Sequence, residues 1–179
     1  MSLHTNSLFH FTKKEHLIGI LENNFVPHYC KERLTIENIN YDYWLPLVSF
    51  CDIPLSQVKN HIEEYGKYAI GLNREWVNKN KLNPVLYYKE KSLLFENYYE
   101  LRSSIQNKVN KIDCDNTLLD NYNKIKYLFA FFKPYEGYDF KLQREKVFYD
   151  EREWRFVPET KDNNYIFLDK IITQRRMNR

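Results

Sequence analysis

Two short segments at opposite ends of the chain, Phe9-His10-Phe11-Thr12 and Tyr149-Asp150-Glu151-Arg152-Glu153-Trp154-Arg155, alternate their side-chain character residue by residue. That alternation constrains the fold more than any other feature. Successive side chains of a strand point to opposite faces, so His10 and Thr12 share one face while Phe9 and Phe11 share the other. By the same parity Glu151, Glu153 and Arg155 oppose Arg152, Trp154 and Phe156. Each segment then presents one apolar or mixed face for packing and one face of convergent polar groups. The expectation is a ligand cleft floored by two strands, with Phe9, Phe11, Trp154 and Phe156 buried together in one core.

A chain of 179 residues is long enough to supply that core. A domain near this size hides roughly 70% of its unfolded surface, so a single compact domain over residues 1–179 is expected. The aromatic fraction of 17%, with 15 Tyr and 12 Phe against only 4 Gly and 6 Pro, fits a packed interior and excludes low complexity. A formal charge of +3, spread over interleaved Lys and Glu, does not by itself mark a nucleic-acid groove.

Cys30, Cys51 and Cys114 are widely spaced, with no C-x-x-C and no clustered His, so neither a disulfide framework nor a zinc site is signalled. A reducing, cytoplasmic setting and no bound metal are expected. The start, Met1-Ser2-Leu3-His4-Thr5, lacks a basic patch followed by an apolar stretch, and no apolar run reaches the roughly 18 residues of a membrane span.

Read for elements, the chain is α+β. A strand at Leu8–Thr12 feeds a helix from Lys13 to Asn23, with Thr12 as its N-cap and Glu15 completing a capping box. Phe25-Val26-Pro27 and Leu45–Cys51 read as short buried strands, and a helix starts near Asp52-Ile53-Pro54-Leu55, with Asp52 and Ser56 as its caps. Tyr68–Leu72 reads as a central strand, 73–80 as a short capped helix and Pro84–Tyr88 as another strand, a βαβ-like alternation. Two helices at Leu93–Asn110 and Thr117–Phe132 form a helical insertion over about 93–132, after which strands resume at Lys146–Tyr149, Glu153–Val157 and Tyr165–Leu168. The basic end, Gln174 to Arg179, reads as a solvated tail.

Several segments together resemble a known family. Leu8-Phe9-His10-Phe11-Thr12 with Leu17 to Phe25, then Val48-Ser49-Phe50-Cys51-Asp52-Ile53-Pro54-Leu55-Ser56, His61, Tyr65-Gly66, Ile70-Gly71-Leu72, Trp76, Asn83 to Tyr88 and Glu151-Arg152-Glu153-Trp154-Arg155 look like the AbiGi family of bacterial abortive-infection phage-resistance proteins. The resemblance covers nearly the whole chain and is most specific between Ser49 and Tyr88. It implies the antitoxin half of a two-gene toxin–antitoxin pair, and hence a cognate toxin or antitoxin protein as partner.

A more distant resemblance is to ADP-ribosyltransferases, including the DarT group that modifies DNA. It rests on a strand with His-x-Thr, a following helix and a late strand carrying Glu, and it departs at Asn23-Asn24, where many members carry Gly. It implies split mixed sheets with flanking helices, and NAD as substrate, not as a prosthetic group. Carried over residue by residue, His10 and Thr12 hold the ribose and nicotinamide, Ser49 is the middle-strand hydroxyl, Glu153 stabilises the reacting ribose and Glu151 is the first acid of a Glu-x-Glu pair. His10, Thr12, Ser49 and Glu153 then line one cleft.

The chemistry is consistent with those residue types. Cleavage of the N-glycosidic bond develops oxocarbenium character, which a carboxylate at the ribose opposes. Glu151, roughly 6.6 Å along a strand from Glu153, could orient a nucleophile, and Arg155 could keep both acids ionised or bind pyrophosphate. Blander readings stand beside these. Glu-x-Glu on a strand is often a solvated, cross-strand paired face, His10 a structural histidine, Thr12 an N-cap and Ser49 a buried hydroxyl. The aromatic clusters Tyr41-Asp42-Tyr43-Trp44 and Phe131-Phe132-Lys133-Pro134-Tyr135 suit either a core edge or stacking on a base.

No Gly-rich phosphate loop, G-x-S-x-G elbow, H-E-x-x-H or dinucleotide fingerprint is present. Two functional classes remain: an enzyme that moves ADP-ribose from NAD to a nucleic acid or protein, and a non-catalytic antitoxin or regulatory module.

Overall fold

A computed structural model describes residues 6–36, 39–110, 115–159 and 170–171. The elements run β1 (Ser7–Thr12), α1 (Lys14–Asn23), β2 (His28–Ile36), β3 (Ile39–Cys51), α2 (Lys59–Tyr65), β4 (Tyr68–Asn73), α3 (Arg74–Lys79), β5 (Asn83–Pro84) and β6 (Leu86–Tyr88). They continue as α4 (Leu93–Val109), α5 (Asn116–Phe129), β7 (Phe132–Pro134), β8 (Glu136–Asp139), β9 (Arg144–Val147), β10 (Glu153–Phe156) and β11 (Lys170–Ile171). The α+β class is therefore as the sequence reads it.

The 13-residue β3 organises the molecule. Its first part pairs antiparallel with β2, residue by residue from His28↔Leu47 to Ile36↔Ile39. Its last part pairs antiparallel with β10 and meets β1 at Phe9↔Cys51. The path through the main sheet is β4-β1-β3-β10-β5, with β2 and β11 on the other stretch of β3. All pairings in that sheet are antiparallel; the parallel pair is β6 with β7, and β8–β9 forms a separate hairpin. The βαβ-like alternation expected for the first half is thus replaced by antiparallel connections, and β4 lies at the sheet edge, not at its centre.

Residues directly opposite in an antiparallel pair put their side chains on the same face. Cys51 faces both Phe9 and Glu153, and Ser49 faces Arg155, so these five share one face; Phe50 faces Trp154 and Val48 faces Phe156 on the other. His10 and Leu8, one residue out of phase with Phe9, lie with Phe50. Each face has its own core. On one, Leu8, Val48, Phe50, Val77 and Leu82 pack with Phe25, Leu72, Trp76, Trp154 and Phe156. On the other, Phe11, Cys51, Ile53 and Val58 pack with Phe9, Ile62 and Tyr65.

A third cluster joins the β2–β3 ribbon to the helical pair: Tyr43, Leu45 and Leu47 meet Tyr88, Phe95, Phe129 and Phe132. Tyr98 stacks on Phe129 with ring centroids 5.3 Å apart, and Tyr88 on Phe95 at 4.5 Å. The helical insertion is therefore present, and its aromatic stripe closes a core edge.

Four local expectations change. Phe9 and Phe11 do not share a core with Trp154 and Phe156, because the Phe9↔Cys51↔Glu153 register places the two aromatic pairs on opposite faces. The strand assigned to Lys146–Tyr149 ends at Val147 and gives way to a 3₁₀ turn over Phe148–Glu151, closed by Arg152 in the left-handed region at φ 43°. Lys13, not Thr12, is the N-cap of α1, and it makes no side-chain cap bond. Likewise α2 begins at Lys59, and Asp52 pairs with Arg74 at 2.7 Å instead of capping a helix. The strand expected at Tyr165–Leu168 and the basic tail lie outside the described residues, as does Cys114.

Candidate functional site

The face of the sheet that carries Glu153 holds a cluster of charges sealed between β3, β10, β7 and the β8–β9 hairpin. Glu153 opens β10 and is 5% exposed. Its Oε1 accepts from Ser49 Oγ at 2.7 Å and from Arg155 Nε at 2.7 Å. Its Oε2 accepts from Lys133 Nζ at 2.6 Å and from Arg155 Nη2 at 3.2 Å. A carboxylate offers about four lone-pair sites, and here protein donors take all of them. The backbone N–H of Glu153 donates to the Tyr87 hydroxyl at 2.9 Å.

Arg155, fully buried, is equally committed. Besides Glu153 it donates through Nη1 to the Ala130 carbonyl at 2.6 Å and through Nη2 to Glu32 at 2.8 Å. Lys133 sits between the two acids of the Glu-x-Glu pair, its ammonium 2.5 Å from Glu151 and 2.6 Å from Glu153. Glu151 also accepts from the Tyr65 hydroxyl at 2.6 Å and pairs with Lys146 at 2.7 Å. Lys146 in turn holds Glu64 at 2.5 Å. The result is a chain of alternating charges from Glu32 through Arg155, Glu153, Lys133, Glu151 and Lys146 to Glu64.

Such a chain survives burial because each charge has an opposite partner. Burial pushes the Glu153 carboxyl up, but Arg155 and Lys133 outweigh it and hold the group well below the usual carboxylate range. Burial likewise opposes ionisation of Glu151, and Lys133 again reverses the sign. Lys133 and Arg155 lose from desolvation and gain more from the acids, so both stay protonated far above neutrality. Burial, reinforced by Glu151, raises the Tyr65 phenol and keeps it a hydrogen-bond donor. Beside the cluster, burial pushes the Cys51 thiol up to about 12.

His10 and Thr12 are elsewhere, which corrects the expectation of one cleft. The register that puts Ser49 and Glu153 on one face puts His10 on the other, against Phe25 and Phe50 with centroids 5.3 Å and 5.7 Å away. His10 touches the charged side only through the backbone, its Nδ1 bonded to the Ser49 carbonyl at 2.8 Å. A carbonyl only accepts, so Nδ1 carries the proton and Nε2 is a bare acceptor. Burial lowers the His10 pKa, partly opposed by that bond, so the ring is neutral. Thr12 is buried at the end of β1, opposite Tyr68, on the same face as His10. Arg155, expected as a possible pyrophosphate ligand, spends its donors inside the protein.

Of the six expected site residues, Glu151, Glu153, Ser49 and Arg155 come together, and His10 and Thr12 do not join them. The sequence reading missed Lys133, Lys146, Glu32, Glu64 and Tyr65. One signal was available for Lys133: a lone ammonium inside Phe131-Phe132-Lys133-Pro134-Tyr135 must find a buried acid. Among the described residues no group of three His, Cys, Asp or Glu side chains is placed to hold a metal ion. No helix among them is long and apolar enough to cross a membrane.

Fold and site together define an α+β protein built on an antiparallel sheet, with a sealed ion-pair chain on one face and an aromatic core on the other. Residues 23–178 match the family described as "Putative abortive phage resistance protein AbiGi, antitoxin". A Lactococcus lactis subsp. cremoris protein named "Abortive phage resistance protein AbiGi" is 30% identical over 173 residues, covering 84% of this chain and 70% of the relative. The chain belongs to the AbiGi family of abortive phage resistance proteins. No solved structure matches it.

Proposed function

We propose that this chain acts in the cytoplasm as the non-catalytic antitoxin of an abortive-infection pair, and that it works by binding a cognate toxin. The observation that carries the reading is the saturation of Glu153. Its four acceptor sites are filled by Ser49, Lys133 and Arg155, leaving none for a ribose hydroxyl. A catalytic carboxylate must exchange its partners for substrate, and breaking pairs inside so enclosed a cluster costs several kcal/mol. The family description, antitoxin, points the same way.

The competing reading keeps an ADP-ribosyltransferase-like fold and treats NAD as substrate. In it Glu153 stabilises the ribose, Glu151 activates a nucleic-acid or protein acceptor, and His10, Thr12, Ser49 and Arg155 hold the dinucleotide. What favours it is the Ser49–Glu153 bond beside Glu151, a hydroxyl and two acids within one cluster. What disfavours it is the placement of His10 across the sheet.

Growth of cells producing the cognate toxin, with and without this chain, tests the proposal alongside NAD consumption by the purified protein. Restored growth with NAD turnover at background, for wild type and for Ser49→Ala alike, is the expected result. NAD turnover that disappears in a folded Glu153→Gln variant would transfer the assignment to the enzyme, and absence of growth rescue would remove the antitoxin role.

A further inference from the structure

On the face opposite the charge cluster, α1 roofs a cavity of about 400 Å³. That lies within the ~300–1,000 Å³ of ordinary small-molecule sites. Phe25, Phe50, Trp76 and Phe156 form much of its wall, with aliphatic side chains of α1 and β4 between them. The rings brace one another: Phe25 meets Phe50 at 5.1 Å and Trp76 at 5.9 Å, and Phe50 meets Trp76 at 6.0 Å, all steeply tilted. The wall is therefore preformed. The roof is not tightly seated, since α1 contains no fully buried residue and Leu21, which lines the mouth, is 70% exposed.

Polar groups at this cavity are few. Among the described residues no charged side chain lines it. Asn80 spends its Nδ2 on the Trp76 carbonyl at 2.8 Å, which leaves its Oδ1 as an acceptor. Asn24, held at φ 64° just past the end of α1, presents a whole amide. The two amides supply acceptors and donors alike, and among the described residues no lining cation is present to neutralise a phosphate.

We propose that this cavity binds a neutral, planar heteroaromatic molecule bearing amino or ring N–H groups, of the purine base or nucleoside kind. The tilted rings offer faces and edges for its π system. Asn80 Oδ1 takes an N–H donor, and the Asn24 amide reads an acceptor–donor edge. Phosphorylated forms gain nothing, because a phosphate would lie against uncharged walls. The site shares no side chain with the ion-pair chain, so it stands whether or not the antitoxin reading does.

The test is a titration of the full ¹⁵N-labelled chain with adenine, adenosine, NAD and benzene, followed by NMR. Adenine and adenosine should shift the Trp76 indole N–H and the Asn80 side-chain amide. Leu21→Trp, which enlarges an exposed mouth residue, should weaken adenine binding by about tenfold or more with an unchanged unfolding midpoint. Asn24→Gly, which tolerates the same positive φ but lacks the amide, should weaken it by about threefold to tenfold. Four results overturn the proposal: no shift with either purine up to its solubility limit, equal adenine affinity in Leu21→Trp, benzene binding as tightly as adenine, or NAD binding more tightly than adenosine.

Discussion

Lys133 places one ammonium between two carboxylates, 2.5 Å from Glu151 and 2.6 Å from Glu153, and so decides whether both acids can be buried as ions. Removing it leaves two like charges sharing a dry site. Lys133→Met should therefore destabilise the fold by about 3–5 kcal/mol in urea unfolding, because each buried acid loses a cation and keeps only Arg155 or Lys146. Adding Glu153→Gln should recover part of that loss, since one repelling charge is gone. A double variant that is weaker than the sum of the two single variants would mean that the acids do not repel through the lysine site.

Acid should unfold the protein in two stages. His10 and His61 have lowered pKa values because both are buried, so between the folded value and the ordinary ~6.5 the unfolded chain binds more protons. Stability is complete above about pH 6.5 and falls as pH drops below it. Glu151 and Glu153, buried but held low by Lys133 and Arg155, act in the same sense lower down. Their contribution is complete above the unfolded carboxylate value of about 4.3 and is lost as pH falls toward their folded values. Unfolding free energy measured from pH 8 to pH 3 should show both slopes, and His10→Asn combined with His61→Phe should flatten only the first.

Two glycines should respond oppositely to the same methyl group. Gly66 has φ 122°, and a Cβ there would stand 2.3 Å from the Thr12 carbonyl oxygen. Gly66→Ala should cost at least about 2 kcal/mol, because strained backbone and a clash with main chain add together. Gly19, inside α1, has nothing within 4 Å of a Cβ. Gly19→Ala should stabilise by about 0.5–1 kcal/mol through helix propensity. Thermal unfolding of the pair reads both, and a similar shift in each would contradict the backbone assignment at Gly66.

What the sequence disclosed followed from local rules. The alternation in Phe9–Thr12 and Glu153–Arg155 correctly marks strands, and Asn73 caps α3 through Trp76 N–H at 2.8 Å as a short capped helix requires. The helix expected over Thr117–Phe132 likewise appears as α5. Which face each strand turns toward which neighbour was not legible, because parity within one strand says nothing about register between strands. A shift of one residue between β1 and β10 moves His10 from the Glu153 side to the Phe50 side, and that shift undid the single cleft. The partners of Glu151 were invisible for a related reason. Lys133, Lys146 and Tyr65 come from three separate elements, and only the closed sheet brings them together.

The Ser49–Glu153 bond joins residues 104 apart in sequence, and its consequence lies in the order of assembly. As the chain leaves the ribosome, β1 to β4 and the helical pair emerge long before β10. Until Glu151 and Glu153 arrive, Lys133 lacks both of its carboxylates and the last residues of β3 lack their outer neighbour. Pairings this distant are slow to form, and an open strand edge is exposed while they wait. The arrival of β10 is therefore a keystone step, and a chain cut before residue 153 would be prone to aggregation and to proteolysis.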